Sequence, residues 1–69
     1  MAFDKRYAVK KTRQFDGKTF RFQDRMAIHR GNQIEIEVAK LKQQGWYVRA
    51  VNTRDENGFM VVDIYIRRK

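Results

Sequence analysis

Residues 45–51 read GWYVRAV, a glycine followed by a segment in which aromatic, aliphatic and charged side chains alternate. A glycine commonly follows the last turn of a helix, because it adopts the left-handed conformation at little cost. The side chains of a strand point alternately to its two faces, so Tyr47 and Arg49 would share one face. The stretch therefore predicts a helix that ends before Gly45 and a strand that begins at Trp46.

The residues before the glycine have the periodicity of an amphipathic helix. Its apolar residues recur at intervals of four and three, at Ile34, Val38 and Leu41. Asn32 followed by Glu35 resembles a capping box, in which two side chains bond free N–H groups of the first turn. Residues 34–38 also alternate like a strand, but the length, the cap and the glycine favour a helix. We predict a helix over about residues 32–44, with Ile36 on its exposed side.

The chain after Gly45 predicts a β-hairpin with strands 46–54 and 59–68. A two-residue turn at Asn57 and Gly58 would place the apolar positions of one strand opposite the mixed positions of the other. A three-residue loop, 56–58, with Gly58 in the left-handed conformation of a G1 bulge, avoids this mismatch. The resulting pairs are Val48 with Ile66, Ala50 with Ile64, and Asn52 with Val62.

This register predicts that the helix covers one face of the second hairpin. That face carries Trp46, Val48, Ala50, Met60, Val62, Ile64 and Ile66. A single short helix covers only one side of a four-stranded sheet. The opposite face is therefore expected to be open, and it carries Tyr47, Arg49, Val51, Phe59, Val61, Tyr65 and Arg67.

An earlier hairpin is indicated by Asp16 and Gly17, which separate residues 6–15 from residues 18–24. This dipeptide favours a two-residue type I′ turn, whose central residues both need positive φ. The turn pairs Phe15 with Lys18, Arg13 with Phe20, Lys11 with Phe22, and Val9 with Asp24. In that register Tyr7, Val9, Phe20 and Phe22 share one face, which agrees with the turn chemistry.

Together these elements predict one α+β domain over residues 1–69. Its four-stranded antiparallel sheet consists of two β-hairpins, with one helix packed on one face, in the order β-β-α-β-β. Residues 25–31 have no clear pattern, and the order of the two hairpins within the sheet stays open.

The composition is strongly basic, with 16 Lys and Arg against 8 Asp and Glu and a net charge of +8. Such a charge favours polyanions, with nucleic acid first and an anionic membrane or an acidic protein second. Alternatively, the excess positive charge only keeps the protein soluble. We predict a non-catalytic nucleic-acid-binding protein, with DNA and RNA both open as partners.

Two surfaces are candidates for nucleic-acid contact. The first hairpin forms a ribbon that could follow a phosphate backbone, with Lys10, Lys11, Arg13, Lys18 and Arg21 along it. The open sheet face sets rings among guanidinium groups, an arrangement suited to base stacking, at Tyr47, Arg49, Tyr65 and Arg67. Residues 67–69 are expected to form a frayed basic tail.

The open face also permits two other interpretations. Tyr, Arg and Thr often form cross-strand pairs on an ordinary solvated face. Alternatively, the same face is the interface of a homodimer or of a partner complex, through Tyr47, Val51, Phe59, Val61 and Tyr65.

Catalysis is not predicted, because the chain has no Ser and no Cys and its carboxylates suggest no acid/base pair. His29 is the only histidine and has no partner at metal-ligand spacing, so neither a metal nor a cofactor is expected. No apolar run reaches the length of a signal peptide or a membrane helix. We expect a cytoplasmic protein that does not contact membranes.

The order of these features resembles a group of small basic, mostly uncharacterised proteins of archaea and archaeal viruses. The resemblance lies in Asp16-Gly17-Lys18, the aromatic strand 19–22, Leu41 four residues before Gly45, and the strands 46–49 and 64–67. It implies a β-β-α-β-β domain and assigns no catalytic or binding residue. The helix, glycine and strand also resemble half of a SPOR domain, but the second helix of that fold is missing.

Overall fold

The computed structural model of the protein describes residues 9–69. Its elements are β1 (Thr12–Phe15), β2 (Lys18–Ala27), one 3₁₀ turn (Ile28–Arg30), α1 (Gly31–Gln43), β3 (Trp46–Arg54) and β4 (Met60–Arg68). The strands form one antiparallel sheet in the order β1-β2-β4-β3. The predicted α+β class and element order are confirmed, and the central contact of the sheet joins β2 to β4. The positions predicted for Arg6 and Tyr7 lie outside the described residues.

The first hairpin has the predicted turn and register. Asp16 and Gly17 have φ of 53° and 76°, as a type I′ turn requires. Phe15 pairs with Lys18 and Arg13 with Phe20, and the Phe22 N–H donates to the Lys11 carbonyl at 2.8 Å. The predicted pair of Val9 with Asp24 is wrong, because β1 begins only at Thr12 and Asp24 pairs with Ile64 of β4.

Strand β2 continues to Ala27, three residues beyond its predicted end at Asp24, because it also pairs with β4. The register shifts between Phe22, which lies opposite Tyr65, and Asp24. A bulge of this kind moves the following side chains to the other face. Met26 consequently packs on the helix side of the sheet, whereas Phe22 lies on the side away from the helix.

The second hairpin confirms the three-residue loop. All three predicted pairs are present, and β4 begins one residue later than predicted. Gly58 has φ of 83°, and its N–H donates to the Asp55 carbonyl at 3.0 Å. The Asp55 N–H in turn donates to the Phe59 carbonyl at 3.0 Å. The Asp55 carboxylate also accepts the N–H groups of Asn57 and Phe59, both at 2.9 Å, which stabilises the loop.

Helix α1 matches its predicted range within one residue, but its start differs. The predicted capping box is wrong: Arg30 occupies the N-cap and makes no side-chain cap bond, because the 3₁₀ turn leads directly into the helix. At the other end Gly45 has φ of 93°, as predicted, and its N–H donates to the Lys42 carbonyl. Ile36 is exposed, also as predicted.

The core under the helix consists of three buried side chains and four partly buried ones. The buried ones are Leu41, Ile64 and Ile66, against which Met26, Val38, Trp46 and Val48 pack. The predicted burial of Trp46 and Val48 is thus confirmed as partial burial. Ala50, predicted in the same row, is exposed.

A second packed cluster lies on the sheet face away from the helix, and it corrects the prediction that this face is open. Rings meet at centroid distances of 5.2 Å for Phe15 and Phe20, 6.0 Å for Phe15 and Tyr65, and 5.8 Å for Phe22 and Tyr65. Tyr65 is only 1% exposed, and its hydroxyl donates to the Lys10 carbonyl at 2.8 Å. The sheet curls, so these rings cover one another without a second helix.

Burial raises the pKa of the Tyr65 phenol, and the nearby Asp63 charge raises it further. The folded state therefore holds this proton more tightly than the unfolded chain, whose tyrosines ionise near pH 10. The contribution to stability is complete below about pH 10 and is lost as the pH rises through the raised pKa. Between about pH 8 and about pH 11, we expect the free energy of unfolding to fall more in the parent than in Tyr65→Phe.

Denaturant unfolding at both pH values measures this difference. The lost hydroxyl contact should cost Tyr65→Phe about 1 kcal/mol at pH 8. Tyr47→Phe, which changes a side chain that is nearly half exposed, serves as the control. Equal pH dependence in the parent and in Tyr65→Phe would contradict the assignment.

Candidate nucleic-acid interface

One end of the molecule gathers seven of the 14 Lys and Arg side chains of residues 9–69. The strand order brings the start of β3, the end of β4 and the tip of the first hairpin together, and α1 ends beside them. Three adjoining clefts there are lined by seven basic side chains: Lys18, Arg21, Lys42, Arg49, Arg67, Arg68 and Lys69. Asp16 is the one carboxylate among the described residues that line these clefts. We call this group of residues the basic end.

The opposite end of the molecule carries four of the seven carboxylates of residues 9–69, together with the exposed Arg30 and Arg54. The β3–β4 loop carries Asp55 and Glu56, and the first half of α1 carries Glu35 and Glu37. Because β3 runs from the basic end to this loop, the two charge groups are separated by the length of the strand. The excess of positive charge is therefore concentrated at the basic end.

Tyr47 presents an exposed aromatic ring at the basic end. It lies near the start of β3 opposite Arg67 and is 46% exposed. The Arg67 guanidinium carbon lies 5.9 Å from the ring centroid, and the Lys69 Nζ lies 5.4 Å from it. Both distances are within the range of cation–π attraction. The ring therefore has cations beside it and a surface that solvent or a ligand can reach.

Arg49 joins the sheet to the tip of the first hairpin. Its Nη2 donates to the Asp16 carboxylate at 2.6 Å, and its guanidinium lies 5.8 Å from the Phe15 centroid. Both members of this ion pair are exposed, and exposed pairs contribute little to stability. A phosphate can therefore compete with Asp16 for Arg49 at small cost.

The structure divides the hairpin residues predicted to contact nucleic acid. Lys18 belongs to the basic end, and Arg21 reaches it from the helix side of β2. Arg13 is half-buried over Phe15 and Tyr65, at 5.9 and 5.8 Å from their centroids, and so stabilises the aromatic cluster. Lys10 and Lys11 are exposed before β1 and line none of the three clefts.

Tyr65 was predicted to stack bases, and its burial makes that role wrong. The same correction affects the predicted interface of a homodimer. Val61 and Tyr65 are buried, and the exposed Tyr47 and Phe59 lie at opposite ends of the β3–β4 hairpin. The predicted surface is therefore not continuous, and self-association stays a prediction.

Trp46 and Arg68 were not predicted to be surface residues. Arg68 was predicted to lie in a frayed tail, but it is the last residue of β4 and pairs with Trp46. The signal was present in the hairpin register, because pairing Val48 with Ile66 also pairs residues 46 and 68. Trp46 is only partly covered by the helix, which leaves its ring accessible to arginines.

The buried carboxylate of Asp63 joins two strands of the sheet. Asp63, 3% exposed, accepts two bonds from Arg25, at 2.5 Å from Nε and 2.8 Å from Nη2. These bonds join β2 to β4 and raise the pKa of Arg25. No group of three or more His, Cys, Asp or Glu within residues 9–69 is arranged to hold a metal ion.

No protein-family model, curated protein or solved structure matches the chain. The resemblance to small basic proteins of archaea and archaeal viruses therefore stays a prediction. Within the described part of the chain, no helix has the length and apolar character needed to span a membrane.

Proposed function

We propose that the protein is a non-catalytic nucleic-acid-binding protein and that its binding surface is the basic end. The observation that supports this best is the exposed Tyr47 ring with Arg67 and Lys69 beside it. Basic side chains attract a phosphate backbone, and an accessible ring offers a surface on which an unpaired base stacks.

This combination favours single strands over duplexes, because the bases of a duplex are already stacked on one another. The charged groups neutralise phosphates and release counterions, which supplies sequence-independent affinity. The ring adds a contact that any base can make. Both contacts are common to DNA and RNA, so the proposal covers both.

Binding should weaken steeply as the salt concentration rises. For single strands the logarithm of the binding constant should fall with the logarithm of salt by about 0.7 for each phosphate neutralised. Fluorescence anisotropy with single- and double-stranded DNA and RNA of equal length measures this slope. Absence of binding to all four ligands at low salt would refute the proposal.

A matched pair of variants locates the surface. Lys42→Ala with Lys69→Ala removes two charges from the basic end and should flatten the slope. Lys10→Ala with Lys11→Ala removes the same charge before β1 and should change it less. The reverse result would move the interface to the first hairpin and contradict the assignment to the basic end.

A further inference from the structure

Two arginines lie close to Trp46 on the helix side of the basic end. The guanidinium carbon of Arg21 lies 5.3 Å from the Trp46 ring centroid, and that of Arg68 lies 5.6 Å from it. The ring is half-buried against the core, whereas both arginines are exposed. The half-buried indole thus has two exposed cations within cation–π distance of its ring.

The cleft beside this ring has a volume of about 340 Å³ and contains no carboxylate among its described lining residues. Thr19, Ile66 and Arg67 complete the lining. Neither Arg21 nor Arg68 forms an ion pair with a carboxylate of residues 9–69. Like charges held near one ring repel each other, and an anion placed between them relieves that repulsion.

A phosphate group fits this arrangement, because it has enough oxygens to accept hydrogen bonds from two arginines and a hydroxyl at once. Arginine presents a planar fork of donors that matches phosphate oxygens, and stacking on an aromatic ring orients the fork in advance. Thr19 supplies a hydroxyl at the same cleft.

We propose that Arg21, Arg68 and Thr19 around Trp46 form a phosphate-binding site. The inference rests on the proposed function in one respect, namely that the phosphate belongs to a strand bound at the basic end. Arg67 supports this link, because it lines both the Trp46 cleft and the cleft beside Tyr47. A strand with one base on Tyr47 would then place a nearby phosphate at Trp46.

Trp46 is the only tryptophan in the chain, so its fluorescence reports on the two clefts that it lines, and the Arg21 and Arg68 variants then assign a change to this one. Titration with a short single-stranded oligodeoxythymidylate should change the emission in a saturable way. Inorganic phosphate and pyrophosphate are titrated separately, because they distinguish a site for free phosphate from one that needs a strand. Oligonucleotide binding without any change of Trp46 emission would overturn the proposal.

Two double variants distinguish the loss of this site from the loss of positive charge anywhere on the surface. Arg21→Ala with Arg68→Ala should weaken oligonucleotide binding by about tenfold or more, as expected for the loss of a charge-assisted hydrogen bond. Arg30→Ala with Arg54→Ala removes the same charge at exposed positions outside the cleft and should have a smaller effect. Equal weakening in the two double variants would overturn the proposal.

A third variant tests the site if the double alanine variant does not fold, which thermal unfolding would detect. Arg21→Lys with Arg68→Lys keeps both charges and removes both forks, and it should also bind more weakly than the parent. If it binds as tightly as the parent, the forks do not hold a phosphate.

The oligonucleotide and the free anions separate the two proposals. If no oligonucleotide binds at low salt, the proposed function fails. The titrations with free anions then show whether the cleft binds phosphate groups. A saturable emission change with pyrophosphate, lost in the Arg21 and Arg68 variants, would then establish a site for free phosphate groups. No emission change with any anion would overturn the site as well.

Discussion

Arg25→Ala is expected to lower the free energy of unfolding by about 3–5 kcal/mol, the usual effect of removing one partner of a buried ion pair. The reason is the carboxylate that remains. Asp63 is 3% exposed and both of its oxygens accept bonds from Arg25. Without the guanidinium, a buried charge would have lost its main neutralising partner in the centre of the sheet. A domain of this size has little stability in reserve, so the variant should be largely unfolded at 37 °C or below.

Denaturant unfolding of three variants tests this explanation. Arg54→Ala removes an exposed arginine whose Nη1 donates to the Gly58 carbonyl, and it should change stability by about 0.5 kcal/mol or less. Arg25→Met with Asp63→Leu replaces both charges by apolar groups and should recover much of the loss. If Arg25→Ala is as stable as Arg54→Ala, the ion pair does not support the β2–β4 contact.

Both hairpins were predictable because their information is local. Asp16 and Gly17 need positive φ, and that requirement determines the turn and the register of its strands. In the second hairpin, apolar parity selected the three-residue loop that ends at Gly58. Each result depends on residues close together in sequence, which a pattern can describe.

The pairing of β2 with β4 could not be predicted in the same way. It joins residues about 40 positions apart and includes a bulge at Gln23 that no turn residue marks. The bulge decides the faces: Phe22 lies against Tyr65, while Met26 packs under the helix. A regular strand would have put both on one side.

The error at Tyr65 follows from the same missing contact. On the second hairpin alone, Tyr65 lies beside Arg49 on a face that no helix covers. Only the neighbouring β2 supplies Phe20 and Phe22, and the curl of the sheet then closes the cluster. Tyr47 kept its predicted exposure because β3 is at the edge of the described sheet, where no further strand brings a side chain over it.

Tyr47→Ala should weaken single-strand binding by about 1–3 kcal/mol, the usual contribution of one base stacked on an aromatic side chain. Tyr47 is an exposed ring at the basic end and is not part of either packed cluster. Because the substitution removes no charge, the salt dependence of binding should stay the same. Binding to a duplex of equal length should change little, since its bases are not free to stack. Fluorescence anisotropy with single- and double-stranded ligands measures each effect.

Two controls separate stacking from other roles of the ring. Tyr47→Phe keeps the aromatic surface and should bind single strands nearly as well as the parent. Phe59→Ala removes an even more exposed ring at the other end of the β3–β4 hairpin and should leave binding unchanged. If folded Tyr47→Ala binds single strands like the parent while the Lys42 and Lys69 variant loses affinity, the basic end attracts phosphates alone. Base stacking would then have no part in binding. The ring and the lysines lie at the same surface, and only the loss of the lysines would have weakened binding.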